Sequence, residues 1–567
     1  MDYKKEYQRF LQSPLLNTKD KAQLILIRDD EDEIKSRFMD ILSFGTAGLR
    51  GVLACGTNRM NVYTVRSAAY GLAKYIVSLG KEAMERGVVI TRDSRHQGEE
   101  FVINSALVLC KHNIKTYVFD DIRPTPELSF AVRHLKAIAG INITASHNPK
   151  EYNGFKAYFE DGAQIMSEIA DYVFDVMNKT DMLSIETADM REAIDSGLLE
   201  FIGDETDKAY LDAVFNQSLK DEKCDIDIVY TPFHGTGYKH VPEILNKIGC
   251  RVYPVDEQMV ISPDFETVKS PNPEEKEGFE LAINKAKKIG AKLILATDPD
   301  CDRIGVCEVD GEEKTFFTGN QIGALLLEYI IKVNKEKGVD LSKLAVISTI
   351  VSTRMTKEIC EKNGVNYYDV LTGFKNIGNK IKELHSETDQ RFLFAFEESY
   401  GYLMGDYARD KDAVLASMII AQMADYYYKN DKTLSKALEL LYVKYGTFFE
   451  KTMSVKIEDV APLEKMKKIM ENIRKNSPQN IAGTDVSRVL DYKTSMVIDV
   501  ASANATKENL PHSDVLTFEF TDGNSVIIRP SGTEPKIKLY FLMKGKTKAA
   551  VIKKQQSYEK AFLELLR

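Results

Sequence analysis

Ile141-Asn142-Ile143-Thr144-Ala145-Ser146-His147-Asn148-Pro149 joins a β-branched run to a turn. The apolar stretch from Ala137 to Thr144 reads as a buried strand. The polar Ser-His-Asn-Pro, followed by Tyr152-Asn153-Gly154, reads as the loop that ends it. Ser146 is therefore expected at a strand end, facing solvent or a cleft, where a rigid scaffold positions a hydroxyl and a loop leaves it accessible. Most loop serines only make turns. What raises this one above that reading lies elsewhere in the chain.

Strand and helix signals alternate on both sides of it. Before it come a helical opening up to about residue 43, a helix over Val62–Leu79, a strand at Val88–Ile90, a helix over Glu99–Lys111 and a strand at Lys115–Phe119. After it, Phe155–Phe159 reads as a returning strand that puts Lys156 one turn from Ser146, and residues 167–222 read as mostly helical. Further cycles start at Ile226–Tyr230 and near residue 316. Apolar runs stop at Thr91, Thr231, Thr297 and Thr349, which suggests repeated α/β units with their loops gathered at one sheet edge. Residues 446–567 differ, with helices near Pro462–Arg474 and Lys546–Leu566 and strands near Thr517–Glu519 and Ser525–Arg529, and predict a separate α+β domain. The predicted boundaries are 1–205, 206–315, 316–445 and 446–567; 567 residues are too many for one core.

A net charge of −9 argues against a nucleic-acid partner, while leaving room for a local basic pocket. The opening residues carry no signal-like apolar stretch, and no run is long enough to span a membrane. Seven dispersed cysteines with no Cys-x-x-Cys pair fit a reducing compartment, so a cytoplasmic protein is expected.

Three distant stretches carry chemistry. Thr297-Asp298-Pro299-Asp300-Cys301-Asp302-Arg303 follows a strand and places carboxylates at alternate positions. In an extended loop these share a side, and a hard cation offsets their repulsion. An EF-hand is excluded, because its glycine would fall at Arg303 and its last glutamate at Val309. Mg²⁺ is expected, since it takes few carboxylates together with phosphate oxygens. Phe396-Glu397-Glu398-Ser399-Tyr400-Gly401-Tyr402 offers acceptors for vicinal hydroxyls; alone it equally fits an acidic surface pair. Arg529-Pro530-Ser531-Gly532-Thr533-Glu534-Pro535-Lys536 groups a guanidinium, hydroxyls and a glycine amide in one turn, a set suited to a phosphate dianion; alone it equally fits an ordinary turn. The glycine-rich Phe44–Gly51 segment adds Arg50, which can reach a phosphate.

In this order and at this spacing, Thr-Ala-Ser-His-Asn-Pro, Asp-Pro-Asp-x-Asp-Arg, Glu-Glu-Ser and Arg-Pro-Ser-Gly-Thr-Glu-Pro resemble the α-D-phosphohexomutases, over roughly residues 44–540. The Glu-Glu-Ser-Tyr-Gly-Tyr form looks closest to the phosphoglucomutase and phosphopentomutase branch. The resemblance implies four domains around a central cleft, three related α/β/α units with mixed sheets and a smaller C-terminal α+β domain. It implies Ser146 as phosphoserine, Asp298, Asp300 and Asp302 as Mg²⁺ ligands with the phosphoserine beside them, and Glu397 and Ser399 as sugar contacts. Arg529, Ser531, Gly532 and Thr533 would grip the distal phosphate, while Arg303, His147, Lys156 and the Thr372-Gly373-Phe374-Lys375 loop would line the cleft. One departure stands out. Some relatives carry a histidine after the sugar motif, and here Tyr402, Asp406 and Arg409 occupy that neighbourhood. Proton transfer is then expected from Lys156 or His147, near Ser146 in sequence.

The implied reaction moves a phosphoryl group from Ser146 to a sugar monophosphate and back from the resulting bisphosphate, such as glucose 1,6-bisphosphate, which also acts as activator. Glucose phosphate is the expected substrate, with mannose and pentose phosphates as alternatives. A phosphatase working through the same serine and a non-catalytic sugar-phosphate binder compete with this reading; the distal clip disfavours the first and the retained Ser146 with its aspartates the second.

Overall fold

The computed structural model describes residues 2–43, 48–458, 462–507, 511–531 and 535–566. The glycine-rich segment at 44–47 and the phosphate-clip residues Gly532 and Thr533 lie outside these. The chain divides into two compact units, one of residues 1–319 with 373–431, the other of 320–372 with 432–567.

In the first unit the leading sheet uses β1 (Leu49–Val52), β2 (Val88–Arg92), β3 (Thr116–Phe119), β4 (Ala139–Ile143), β5 (Tyr152–Phe159) and β6 (Leu199–Ile202), in the order β1-β5-β4-β2-β3-β6. The four strands β4, β2, β3 and β6 run parallel, and β5 returns antiparallel with Asn142 opposite Lys156. β4 is buried along its whole length, as expected of a central parallel strand covered on both faces, which is why its sequence lacks alternation. Its apolar run is trimmed at both ends, to Ala139–Ile143, because Thr144 already turns into the loop. β6 interrupts the stretch read as helical; its Leu-Glu-Phe-Ile is too short and too exposed at its centre to announce a strand.

The helix Val62–Ser78 shows how the layers close. Asn61 and Thr64 form a capping box at its start. Val65, Ala68, Ala69, Leu72, Ala73 and Ile76 recur at helical spacing and are all buried. Each large aliphatic side chain among them contributes about 1.5–3 kcal/mol. Gly71 lets the helix Ser167–Lys179 approach: a Cβ there would sit 2.8 Å from the Val173 carbonyl oxygen.

The next sheet comprises β7 (Asp227–Thr231), β8 (Arg251–Pro254), β9 (Leu293–Thr297), β10 (Ile304–Asp310) and β11 (Glu313–Phe317), in the order β11-β10-β9-β7-β8. β7 is parallel to β8 and β9, while β10 folds back on β9 with Thr297 opposite Ile304. The mixed character of both sheets has the same origin, an antiparallel pair added beside the parallel core, β5 with β1 in the first and β10 with β11 in the second. β12 (Leu344–Thr349) and β13 (Asn366–Val370) pair in parallel within the second unit, and β14 (Arg391–Glu397) and β15 (Gly401–Met404) form a hairpin within the first. Threonine closes β7, β9 and β12, whereas β2 runs one residue past Thr91.

The C-terminal part is antiparallel. β16 (Thr447–Lys456), β17 (Asn480–Ile481), β18 (Thr484–Asp491), β19 (Met496–Asp499), β20 (Asn504–Lys507), β21 (Leu516–Phe520), β22 (Ser525–Pro530) and β23 (Lys536–Gly545) follow the order β16-β23-β22-β21-β18-β19-β20, with β17 on β18. The helices Pro462–Lys475 and Lys548–Leu565 bury Met466, Met470 and Ile473, and Val551, Tyr558 and Phe562, in the core it shares. The expected α+β domain is present with more strands than the two read from sequence. Among the described residues no helix is long and apolar enough to cross a membrane.

Candidate active site

The parallel strands β2, β4, β7 and β9 deliver their carboxyl ends to one region of the first unit, where α/β sheets hold their sites. Ser146 lies three residues beyond β4. It adopts a left-handed backbone, φ 52°, and is only 2% exposed, more enclosed than a loop serine facing solvent. Its amide donates to Thr144 Oγ1 at 2.8 Å, and its hydroxyl donates to Asp298 Oδ2 at 2.8 Å across 152 residues.

Asp298, Asp300 and Asp302 follow β9 on a loop whose carbonyls are each claimed by a different segment. Thr236 N–H donates to Pro299 at 2.8 Å, Thr125 N–H to Asp300 at 2.8 Å and Ala413 N–H to Cys301 at 3.2 Å. So pinned, the aspartates bring one carboxylate oxygen each to within 4.8 Å of one another. All are buried, and Asp300 Oδ1 and Asp302 Oδ1 have no hydrogen-bond partner. Leaving such atoms unpaired is costly, and a divalent cation would satisfy both. Burial, reinforced by Asp300 and Asp302, pushes the Asp298 carboxyl well above the ordinary carboxylate range.

Lysines supply part of the missing charge. Lys156, projecting from β5, places Nζ 2.8 Å from Asp300 Oδ2 and 3.6 Å from Asp302 Oδ2. Lys411 Nζ lies 3.0 Å from Asp302 Oδ2 and 3.0 Å from Asp410 Oδ1. Burial works against charge on Asp300, but Lys156 and the Thr125 hydroxyl hold its carboxyl well below the usual range. Burial likewise opposes charge on Lys411, and Asp302, Asp410 and Glu397 more than offset it. Lys411 was not anticipated, nor was Thr125, whose Oγ1 donates to Asp300 Oδ2 at 2.8 Å. Arg409-Asp410-Lys411-Asp412 reads as a solvated charge run; its burial is signalled only by the mostly apolar helix Ala413–Lys429 that follows.

The remaining expected residues divide between the units. His147 Nδ1 is 3.3 Å from Ser146 Oγ, and burial together with Arg303, Arg50 and Arg95 holds the ring well below the ordinary histidine value. Arg303 ion-pairs with Glu274 at 3.3 Å and lies 3.7 Å from Asp302. Arg50 donates to Asn148 Oδ1 at 2.8 Å, within the serine loop. Glu397 is buried and accepts from Gly373 N–H at 2.7 Å; burial raises its pKa. The turn bearing Ser399 is tied to the aspartate loop, because Ile304 N–H donates to Tyr400 carbonyl at 3.1 Å. Lys375 lies in the first turn of the helix Phe374–Glu387, and burial lowers its pKa. Thr372, Arg529 and Ser531 belong to the second unit; Arg529 lies in β22 opposite Lys538.

The chain matches known proteins over most of its length. Residues 42–184, 208–311 and 318–445 match the phosphoglucomutase/phosphomannomutase alpha/beta/alpha domains I, II and III, and residues 454–555 match the C-terminal domain. A phosphoglucomutase of Staphylococcus aureus (strain bovine RF122 / ET3-1) is 39% identical over 515 residues, 90% of this chain and 91% of that one. The phosphoglucomutase of strain MRSA252 is 39% identical over 521 residues, 91% and 92% of the two chains. Among solved structures, a phosphoglucomutase/phosphomannomutase family protein from Burkholderia thailandensis superposes with a TM-score of 0.67 at 18% identity, covering 92% of this chain and 97% of that one. The open form of parafusin, a Paramecium phosphoglucomutase, gives 0.67 at 19%, covering 93% and 94%. The chain belongs to the phosphoglucomutase/phosphomannomutase family, within the α-D-phosphohexomutases. It is a phosphosugar mutase.

Proposed function

We propose that the enzyme interconverts glucose 1-phosphate and glucose 6-phosphate, with Ser146 carrying the phosphoryl group and glucose 1,6-bisphosphate as intermediate and activator. The observation that carries this reading is the Ser146 hydroxyl 2.8 Å from Asp298 in a buried cluster of three aspartates. The preference for glucose rests on relatives named phosphoglucomutase at 39% identity over nine-tenths of the chain.

Asp298, Asp300 and Asp302, with the phosphoserine, would hold Mg²⁺, which neutralises charge on the transferring group. Around it the chain's own residues orient and balance the reactants. Lys411, Lys156 and Arg303 hold positive charge against the aspartates. Glu397 and Ser399 would accept and donate to sugar hydroxyls, with Thr372, Gly373 and Lys375 alongside and Arg50 reaching toward phosphate. In the forward step the Ser146 O–P bond breaks, a sugar O–P bond forms, and the sugar hydroxyl's proton passes to a base. His147 and Lys156 are the proposed carriers: His147, 3.3 Å from Ser146 Oγ, accepts that proton, and Lys156, positively charged against the aspartates, donates one to the departing sugar oxygen in the return step. After the bisphosphate turns end for end, Arg529, Ser531, Gly532 and Thr533 would grip the phosphate just formed. We place the domain boundaries near 205, 315 and 445 and the enzyme in the cytoplasm.

The test is turnover of glucose 1-phosphate, mannose 1-phosphate and ribose 1-phosphate, each with its bisphosphate primer. The highest kcat/KM is expected with glucose 1-phosphate. Preferred turnover of either other sugar overturns the substrate assignment, and phosphate release without isomer formation overturns the mutase mechanism.

A further inference from the structure

The strand end at Arg92-Asp93-Ser94-Arg95 is not used in the chemistry above, yet Arg95 is 2% exposed and both terminal nitrogens of its guanidinium are given to one loop. Arg95 Nη1 donates to the carbonyls of Pro149 at 2.8 Å and Tyr152 at 3.0 Å. Nη2 donates to the carbonyls of Ser146 and Asn148, both at 2.5 Å. Nε donates to Asp93 Oδ2 at 3.1 Å, and the Arg95 amide donates to Asp93 Oδ1 at 3.0 Å. The ring of Phe265 covers the guanidinium at 5.1 Å. Asp93 Oδ2 also accepts the Thr144 hydroxyl at 2.6 Å, and Thr144 Oγ1 in turn receives the Ser146 amide.

The backbone of Ser146 needs such support. A non-glycine residue in the left-handed region costs of order 1 kcal/mol or more and persists where its surroundings over-determine it. Here one planar fork, fixed by a buried carboxylate, holds four carbonyls drawn from residues 146–152. Lysine offers three donors around a point and cannot reproduce that fork.

We infer that Arg95, locked by Asp93, is the positioning residue of the serine loop: it holds the left-handed turn that presents Ser146 Oγ to Asp298 and to the substrate. The inference rests on Ser146 as the phosphoryl carrier. It acts on transfer and not on sugar binding, because among the described residues the hydrogen bonds of Arg95 go to the serine loop and Asp93 and none goes to Gly373, Glu397 or Ser399.

The experiment uses the full-length enzyme with Mg²⁺. Arg95→Lys and Asp93→Asn are compared with the unsubstituted enzyme and with Ser146→Ala for kcat, KM for glucose 1-phosphate, thermal midpoint, and Ser146 phosphorylation by glucose 1,6-bisphosphate followed by intact mass. Misplacing a reacting group by about 1 Å costs on the order of 100-fold. Arg95→Lys is therefore expected to lower kcat and the phosphorylation rate about 100-fold with KM unchanged. Asp93→Asn, which keeps the fork but loosens its lock, is expected to lower both by about tenfold, with KM again unchanged. If Arg95→Lys does not fold, Asp93→Asn decides alone. A folded variant that keeps full phosphorylation and kcat, or that raises KM with kcat intact, overturns the positioning role. Full turnover by Ser146→Ala would instead overturn the carrier reading on which it stands.

Discussion

Lys156→Met tests whether the aspartate cluster is balanced by lysine and cation together. Lys156 is 3% exposed, and its Nζ lies 2.8 Å from Asp300 Oδ2, on a carboxylate that is fully buried. Removing one partner of a buried ion pair costs about 3–5 kcal/mol, because the other charge stays desolvated. Two contacts place the expected loss at the low end, about 3 kcal/mol: Thr125 Oγ1 still donates to Asp300 at 2.8 Å, and Lys411 still lies 3.0 Å from Asp302. Mg²⁺ acts in the opposite sense. A ligand that binds only the folded state at about 100 times its dissociation constant stabilises by about 2.7 kcal/mol. The variant should gain more than the unsubstituted enzyme, since Lys156 no longer offsets the charge of Asp300 and Asp302 and, of the two lysines, only Lys411 remains beside the cation. The chain has no tryptophan and 27 tyrosines, so urea unfolding is followed by tyrosine fluorescence, in EDTA and in saturating magnesium chloride. A loss under about 1 kcal/mol in EDTA, or an equal loss in both buffers, would refute the reasoning.

Two further outcomes are expected. A Cβ at Gly235 would sit 2.4 Å from Pro299 Cα and 2.7 Å from its carbonyl oxygen, so Gly235→Ala must displace the aspartate loop; calorimetric titration should show Mg²⁺ affinity about tenfold weaker, and an unchanged affinity would contradict it. Burial pushes Glu127 up to about 7, opposite His240 Nε2 at 2.9 Å. Its folded value is raised, so the folded state holds a proton that the unfolded chain has lost; stability from this group falls as pH rises from the ordinary glutamate value to about 7, by about 1.4 kcal/mol per unit. Glu127→Gln should flatten that slope in denaturation at stepped pH, and an unaltered slope would count against it.

What could be read from the chain follows from where each signal resides. β4 and β9 are apolar runs that stop at polar turns, so their ends, and with them Ser146 and Asp298, were legible. The meeting of Ser146 with Asp298 was not, because it depends on two sheets delivering strand ends 152 residues apart to one place. Lys411 and Thr125 act through contacts that no local pattern encodes; one hides in a charge run and the other opens the helix Thr125–His134. β20 is exposed throughout and offers no hydrophobic period. β23, by contrast, alternates charged and apolar side chains over Lys536–Lys538 before its buried run, so its strand character is written in the sequence.

The most direct measurement is the intact mass of the enzyme after incubation with glucose 1,6-bisphosphate and Mg²⁺. A fraction one phosphoryl group heavier, absent from Ser146→Ala together with its turnover, is the expected result. A Ser146→Ala enzyme that still gains the phosphoryl mass, or still isomerises glucose 1-phosphate at the full rate, would contradict a phosphoserine at position 146.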